Sequence, residues 1–63
     1  MKLKKLINIL RGDMKIYNKK QGKDNLLFAG YSENFYINTD LLDRKVKFFY
    51  PSILHLQFII ILI

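Results

Sequence analysis

The chain has 63 residues, of which eleven are basic, five are acidic and none is cysteine. Disulfides and thiolate metal sites are therefore excluded, and the single histidine, His55, has no acidic residue near it in sequence to complete a zinc site. We expect one small domain, residues 1–63, with no metal and no other cofactor.

A domain of this length buries only about 60% of the surface that its unfolded chain exposes. Small domains compensate with disulfides, a metal or association, and only association remains open here. The apolar content of 51% agrees, because it is high for a chain with so little interior. The sequence therefore predicts a homo-oligomer, or a domain that docks on a larger partner.

The net charge of +6 is uneven along the chain. Residues 1–23 contain eight bases and one acid, residues 24–43 contain four acids and no base, and residues 44–63 contain three bases. A basic balance favours an acidic partner, which would be a nucleic acid, an acidic protein surface or anionic lipid. The solubility of a small apolar protein explains the same charge equally well.

Apolar residues at i, i+3, i+4 and i+7 predict a first helix from about residue 2 to residue 11. The stripe consists of Leu3, Leu6, Ile7 and Leu10. Gly12 suits the left-handed position that follows a helix. Because a helix this short is marginal alone in water, we expect packing to hold it.

Two strands are predicted after the helix. Residues 14–18 alternate, residues 26–31 are mainly apolar, and the polar segment between them contains a glycine. These features predict a hairpin. Residues 32–43 have no clean period, and we interpret them as a connection with a short helical turn.

The last third of the chain predicts two more strands. Residues 45–50 alternate, Pro51 and Ser52 indicate a turn, and residues 53–63 form a final strand rich in isoleucine. The expected fold class is α+β, with a short N-terminal helix packed on a four-stranded antiparallel sheet in the order α-β-β-β-β.

The final strand is apolar on both faces from residue 59 onward. It is too short for a membrane span, which needs about twenty apolar residues. One helix cannot cover both faces, so this strand either lies centrally in the sheet or is buried by another chain. The candidate homo-oligomer interface consists of Ile59, Ile61 and Ile63.

No constellation in the sequence predicts catalysis, so we expect a protein that is not an enzyme and assign no catalytic residue. His55 lies between two leucines with no carboxylate nearby, and the three glycines are isolated. The pair Gly22-Lys23 lacks the upstream glycine that a Walker A loop requires.

Bases and aromatic rings interleave on one predicted face of the sheet. The candidate partner-binding residues there are Lys15, Tyr17, Lys45, Lys47, Phe49 and His55. Such a surface suits an acidic protein partner, or single-stranded nucleic acid with lysines on phosphates and rings against bases. An ordinary solvated sheet face is an equally good interpretation.

The order of elements resembles that of small proteins from phages and mobile elements of Gram-positive bacteria. The resemblance rests on the leading helix of residues 2–10, the strand Gly-Asp-Met-Lys-Ile-Tyr from Gly12, the acidic link ending in Leu-Leu-Asp-Arg-Lys-Val, and a final strand of the Leu-x-Leu-x-Phe-x-Ile type. It implies an inhibitor of a host defence protein, such as an anti-CRISPR protein, that acts by stoichiometric binding.

Such an inhibitor would act in the bacterial cytoplasm, which also fits a chain without cysteine. The basic charge argues against mimicry of DNA, which is acidic. A nucleic-acid-binding accessory protein and an amphipathic protein on a membrane surface are the alternatives.

Overall fold

The computed structural model describes residues 1–37 and 39–63. Helix α1 spans Leu3–Ile9, and the strands are β1 (Asp13–Asn18), β2 (Leu26–Tyr31), β3 (Val46–Ser52) and β4 (Gln57–Leu62). Short 3₁₀ turns occupy Lys23–Asn25, Ser32–Ile37 and Thr39–Leu41. The α+β class, the four-stranded sheet and the helical turns in the link are thus confirmed.

One ladder of the sheet is parallel, so the prediction of a purely antiparallel sheet is wrong. The strands lie in the order β2-β1-β4-β3, with β1 antiparallel to β2, β3 antiparallel to β4, and β1 parallel to β4. The link between β2 and β3 causes this, because it returns to the opposite end of the sheet before β3 begins. Strands β1 and β4 therefore run in the same direction.

The core lies between α1 and one face of the sheet. Its buried residues are Leu3, Leu6, Met14, Ile16, Phe35, Ile60 and Leu62. Phe28 of β2 meets Phe35 edge to face, with ring centroids 5.0 Å apart, so the link also packs on the core. The predicted apolar stripe of the helix is confirmed as a core element.

Helix α1 begins without a side-chain cap. Instead, the N–H of Leu3 donates to the Arg44 carbonyl at 2.8 Å, and the N–H of Lys4 donates to the Leu42 carbonyl at 2.9 Å. Two of the N–H groups that a helix leaves without partners are thereby satisfied by the link. The helix ends at Ile9, two residues earlier than its sequence pattern predicts.

Strand β4 is central in the sheet, which is one of the two arrangements that the sequence left open. Its residues Ile59, Ile60, Ile61 and Leu62 are all buried. Ile60 and Leu62 belong to the core beneath α1. Ile59 and Ile61 point to the opposite side of the sheet, which we call the open face.

The second hairpin turns later than the sequence predicts. Strand β3 continues through Pro51 and Ser52, residues 53–56 form the turn, and β4 begins only at Gln57. Proline is tolerated because β3 is an edge strand, where a missing N–H costs no ladder bond. The prediction of a turn at Pro51 and of a strand over residues 53–56 is therefore wrong.

A β-bulge near the start of β3 changes which side chains share a face. Val46 lies opposite Leu62, but Phe48 lies opposite Ile61 and Phe49 opposite Ile60. The irregularity falls between Val46 and Phe48, and it shifts the alternation by one residue. Phe48 therefore lies on the open face and Phe49 on the helix side, which reverses the sequence-based assignment.

Candidate functional site

The structure does not bring the predicted partner-binding residues together on one face. Lys15 and Tyr17 lie on the open face, opposite Ile59 and Ile61. Phe49 faces the helix side because of the bulge, and His55 lies in the turn between β3 and β4. Lys45 and Lys47 lie at the start of β3, at one end of the sheet.

The open face carries an aromatic pair that the sequence did not predict there. The rings of Phe48 and Tyr50 are stacked, with centroids 6.3 Å apart and planes inclined by 16°. The hydroxyl of Tyr50 donates to Oε1 of Gln21 at 2.8 Å, so the loop between β1 and β2 reaches this face. The open face is therefore more aromatic and less basic than expected.

The three isoleucines of the predicted oligomer interface lie in different environments. Ile59 is 4% exposed and Ile61 is 1% exposed within the single chain. Placement of these two residues on an exposed outer surface is therefore wrong, because the central position of β4 puts large side chains of β1 and β3 on either side of them. Ile63, which follows β4, is exposed.

Among the side chains whose exposure the structure describes, the most exposed apolar ones lie at the turn between β3 and β4. Ile53, Leu54 and Leu56 are 86%, 85% and 84% exposed, and His55 between them is also exposed. We call residues 53–56 the hairpin tip. A single exposed leucine is ordinary, but three large aliphatic side chains within four residues form an apolar patch that water surrounds.

The backbone at the hairpin tip is also unfavourable. Leu56 has a φ of +53°, in the left-handed region where a side chain with Cβ costs about 1–2 kcal/mol relative to the right-handed region. Glycine or asparagine relieves this cost at most such positions. A leucine that is both strained and exposed lowers stability without contributing packing, and such residues concentrate at functional sites.

A shallow groove lies at the base of the hairpin tip. It is lined by Arg11, Asp13, Pro51, Ile53, Leu56 and Phe58, among others. The groove joins the start of β1 to the end of β3, so it is continuous with the apolar tip. Any molecule that covered the tip would therefore also meet Arg11 and Asp13, which carry opposite charges.

The basic residues concentrate at the opposite end of the sheet from the hairpin tip. We call this the basic end, and its bases are Lys19, Lys20, Lys23, Arg44, Lys45 and Lys47. Two acids, Asp24 and Asp43, lie there too, which leaves a positive excess. The hairpin tip and the basic end are thus two separate surfaces.

Arg44 holds the basic end together. Its Nη2 donates to Oδ1 of Asn18 at 2.6 Å and to the carbonyl of Ile63 at 2.8 Å. Asn18 is the last residue of β1 and Ile63 directly follows β4, and these two strands are parallel. Arg44 therefore stabilises the junction between the two hairpins, in addition to adding positive charge.

Sequence reasoning missed the hairpin tip because its residues carry no turn signal. Turns are usually marked by glycine, proline, asparagine or aspartate, whereas Ile53, Leu54 and Leu56 favour strands or helices. The available signal was that Leu54, His55 and Leu56 would extend a strand well beyond the five or six residues that are usual.

Among the described residues, no group of three or more His, Cys, Asp or Glu side chains is placed to hold a metal ion. In the same part of the chain, no helix has the length and apolar content needed to cross a membrane. Comparison with known proteins gave no match to any family model, curated protein or solved structure.

Proposed function

We propose that this protein is a small non-enzymatic binding protein that occupies a protein partner stoichiometrically through its hairpin tip. The observation that carries the proposal is Leu56, which is 84% exposed on a backbone with positive φ. A sequence that served stability alone would place glycine at this position. The leucine is therefore best explained by a contact that only the partner completes.

The tip has enough apolar surface to anchor a complex. Burial of a leucine or isoleucine side chain contributes about 1.5–3 kcal/mol, and the tip carries three of them. Association itself costs several kcal/mol in lost freedom, so the tip alone gives weak binding. Contacts along the groove at its base would supply the remainder, with the tip as the central hot spot.

The arrangement of charge favours a protein over a membrane as the occupant of the tip. A protein that inserts apolar side chains into anionic lipid benefits from lysine and arginine beside them. Here the basic end lies across the sheet from the hairpin tip, and near the tip Arg11 is accompanied by Asp13. A pocket in a protein partner can bind apolar side chains that have no basic residues beside them.

The resemblance to small phage proteins supplies the class of partner. Under this proposal the partner is a bacterial host protein of the cytoplasm, and inhibition follows from occupation of its surface. Occupation requires no chemistry from the inhibitor.

A capture experiment tests the proposal. Wild-type protein, Leu54→Ser and the control Ile9→Ser are immobilised and exposed to bacterial lysate, and retained proteins are quantified by mass spectrometry. Ile9 is a matched control because it is an apolar residue that is 61% exposed on α1, away from the tip. We expect one protein that wild type and Ile9→Ser retain equally and Leu54→Ser loses.

Retention should survive nuclease treatment and high salt, because apolar contacts are not screened. The purified partner should then bind in a one-to-one ratio. Identical retention by all three proteins, or no specific retention, would contradict the proposal. Retention on liposomes that depends on Leu54 would replace the protein partner with a membrane.

The basic end supports a second candidate function, which is binding of single-stranded nucleic acid. Its lysines lie near the stacked pair Phe48 and Tyr50 on the open face, and rings beside bases suit a stacked strand. Binding of this kind weakens steeply with salt, since each neutralised phosphate releases counterions. Retention on an oligonucleotide without salt dependence would contradict this candidate.

A further inference from the structure

Strand β2 forms an unprotected edge of the sheet. It is the outermost strand beside β1, and its sequence, Leu-Leu-Phe-Ala-Gly-Tyr, contains neither a charge nor a proline. Leu26, Leu27 and Tyr31 are 41%, 37% and 56% exposed. Open edges of this kind present unpaired backbone groups to any other strand, and proteins normally guard them.

Both edge strands contain a bulge, which falls at Leu27 in β2, but the opposite edge is guarded in further ways that β2 is not. Strand β3 contains Pro51, which cannot donate to a further strand, and Lys47 in its bulge. The N-terminus also covers the beginning of this edge. The backbone of Lys2 forms an isolated antiparallel β-bridge with that of Lys45, and the N–H of Val46 donates to the Met1 carbonyl at 2.8 Å. The chain therefore protects one edge of its sheet and leaves the other available.

We propose that β2 pairs with β2 of a second copy of this chain, in antiparallel orientation, to form a continuous eight-stranded sheet. A second copy is the occupant because the strand is apolar and uncharged, and the segments that flank it carry opposite charges. A symmetric pair buries the same strand from each copy and closes the assembly at two subunits. The homo-oligomer then forms through β2 and not through the isoleucines of β4.

Charge around β2 selects the antiparallel orientation. The loop that precedes β2 is positive, because it contains Lys19, Lys20 and Lys23 and a single acid, Asp24. The segment that follows β2 contains the negative Glu33. Antiparallel pairing places the basic loop of one copy near Glu33 of the other. Parallel pairing would instead place the two basic loops side by side, where like charges repel.

The test is the mass of the protein in solution. We expect sedimentation or light scattering at about 100 µM to show a species of twice 7.6 kDa for the wild type. In Ala29→Lys, a lysine in the exposed middle of β2 lies at the proposed interface, near the lysine of the second copy, so we expect at least a tenfold higher dissociation constant. Asn8→Lys adds the same charge on α1 and should leave the dimer intact.

Two further measurements test the proposal even if Ala29→Lys fails to fold. Amide hydrogens of β2 in the wild type should exchange more slowly as protein concentration rises, while those of β3 should not change. Leu54→Ser should remain dimeric. A monomeric wild type, concentration-independent exchange in β2, a folded Ala29→Lys that stays dimeric, or a Leu54→Ser that becomes monomeric would each overturn the proposal.

Discussion

Replacement of Leu56 by glycine should raise stability and weaken partner binding at the same time. The positive φ of Leu56 costs about 1–2 kcal/mol for a residue with Cβ. Glycine removes this cost, but its greater conformational entropy in the unfolded state lowers stability by about 0.5–1 kcal/mol. Because the side chain is 84% exposed, its loss removes little packing, and the net gain is up to about 1.5 kcal/mol.

A gain of that size is measurable in a chain of this length. Natural stability is about 0.05–0.15 kcal/mol per residue, and 1 kcal/mol shifts the melting temperature of a small domain by about 4–8 °C. Thermal unfolding followed by circular dichroism gives the shift directly. Leu56→Ala is the matched variant, because it removes the same side chain and retains the strained Cβ.

We therefore expect Leu56→Gly to melt higher than Leu56→Ala, and both to lose partner binding by about 2 kcal/mol or more, the magnitude of a hot-spot residue. The reasoning is refuted if Leu56→Gly melts below the wild type, since the leucine would then contribute to the fold. It is refuted equally if both variants bind the partner as the wild type does.

Further variants test the core, the junction and the basic surface. Leu6→Ala should lose about 2–5 kcal/mol of unfolding free energy in a urea titration, whereas exposed Ile9→Ala should stay within about 0.5 kcal/mol; equal midpoints would place α1 outside the core. Arg44→Gln should lower stability by about 1–3 kcal/mol because charge-assisted bonds to two strand ends are lost, and an unchanged melt would show that these bonds are replaced by water. Lys15→Glu with Lys47→Glu should leave circular dichroism unchanged and weaken oligonucleotide binding, most at low salt; unaltered binding would remove the second candidate function.

The spacing of apolar residues was sufficient to predict the elements that bury one face and expose the other. The stripe of Leu3 and Leu6 predicted the helix, and alternation from Met14 to Asn18 predicted β1, because one face of each is buried and the other is not. The helix ends at Ile9 because Leu10 has an extended backbone, with φ −86° and ψ 128°, which the apolar spacing does not encode.

Features that depend on partners across the sheet were not predictable in this way. The bulge before Phe48 depends on pairing with β4, and Pro51 is tolerated only because β3 is an edge strand. The apolar run of β4 signalled two-sided burial, but not whether the chain itself or another chain provides it. The hairpin tip was hidden because large aliphatic residues occupy positions where glycine, proline, asparagine or aspartate usually mark a turn.

The parallel ladder between β1 and β4 has a consequence for the order of folding. Each hairpin closes over a short loop and can form early, but their junction pairs Met14 with Phe58, far apart in the chain. Bringing together segments that are so far apart in the chain costs loop-closure entropy, and folding is slower as a result. Until the hairpins join, β4 exposes a run of five apolar residues suited to intermolecular β-pairing. Slow formation of this one ladder would therefore lengthen the time during which the apolar strand can pair with other chains.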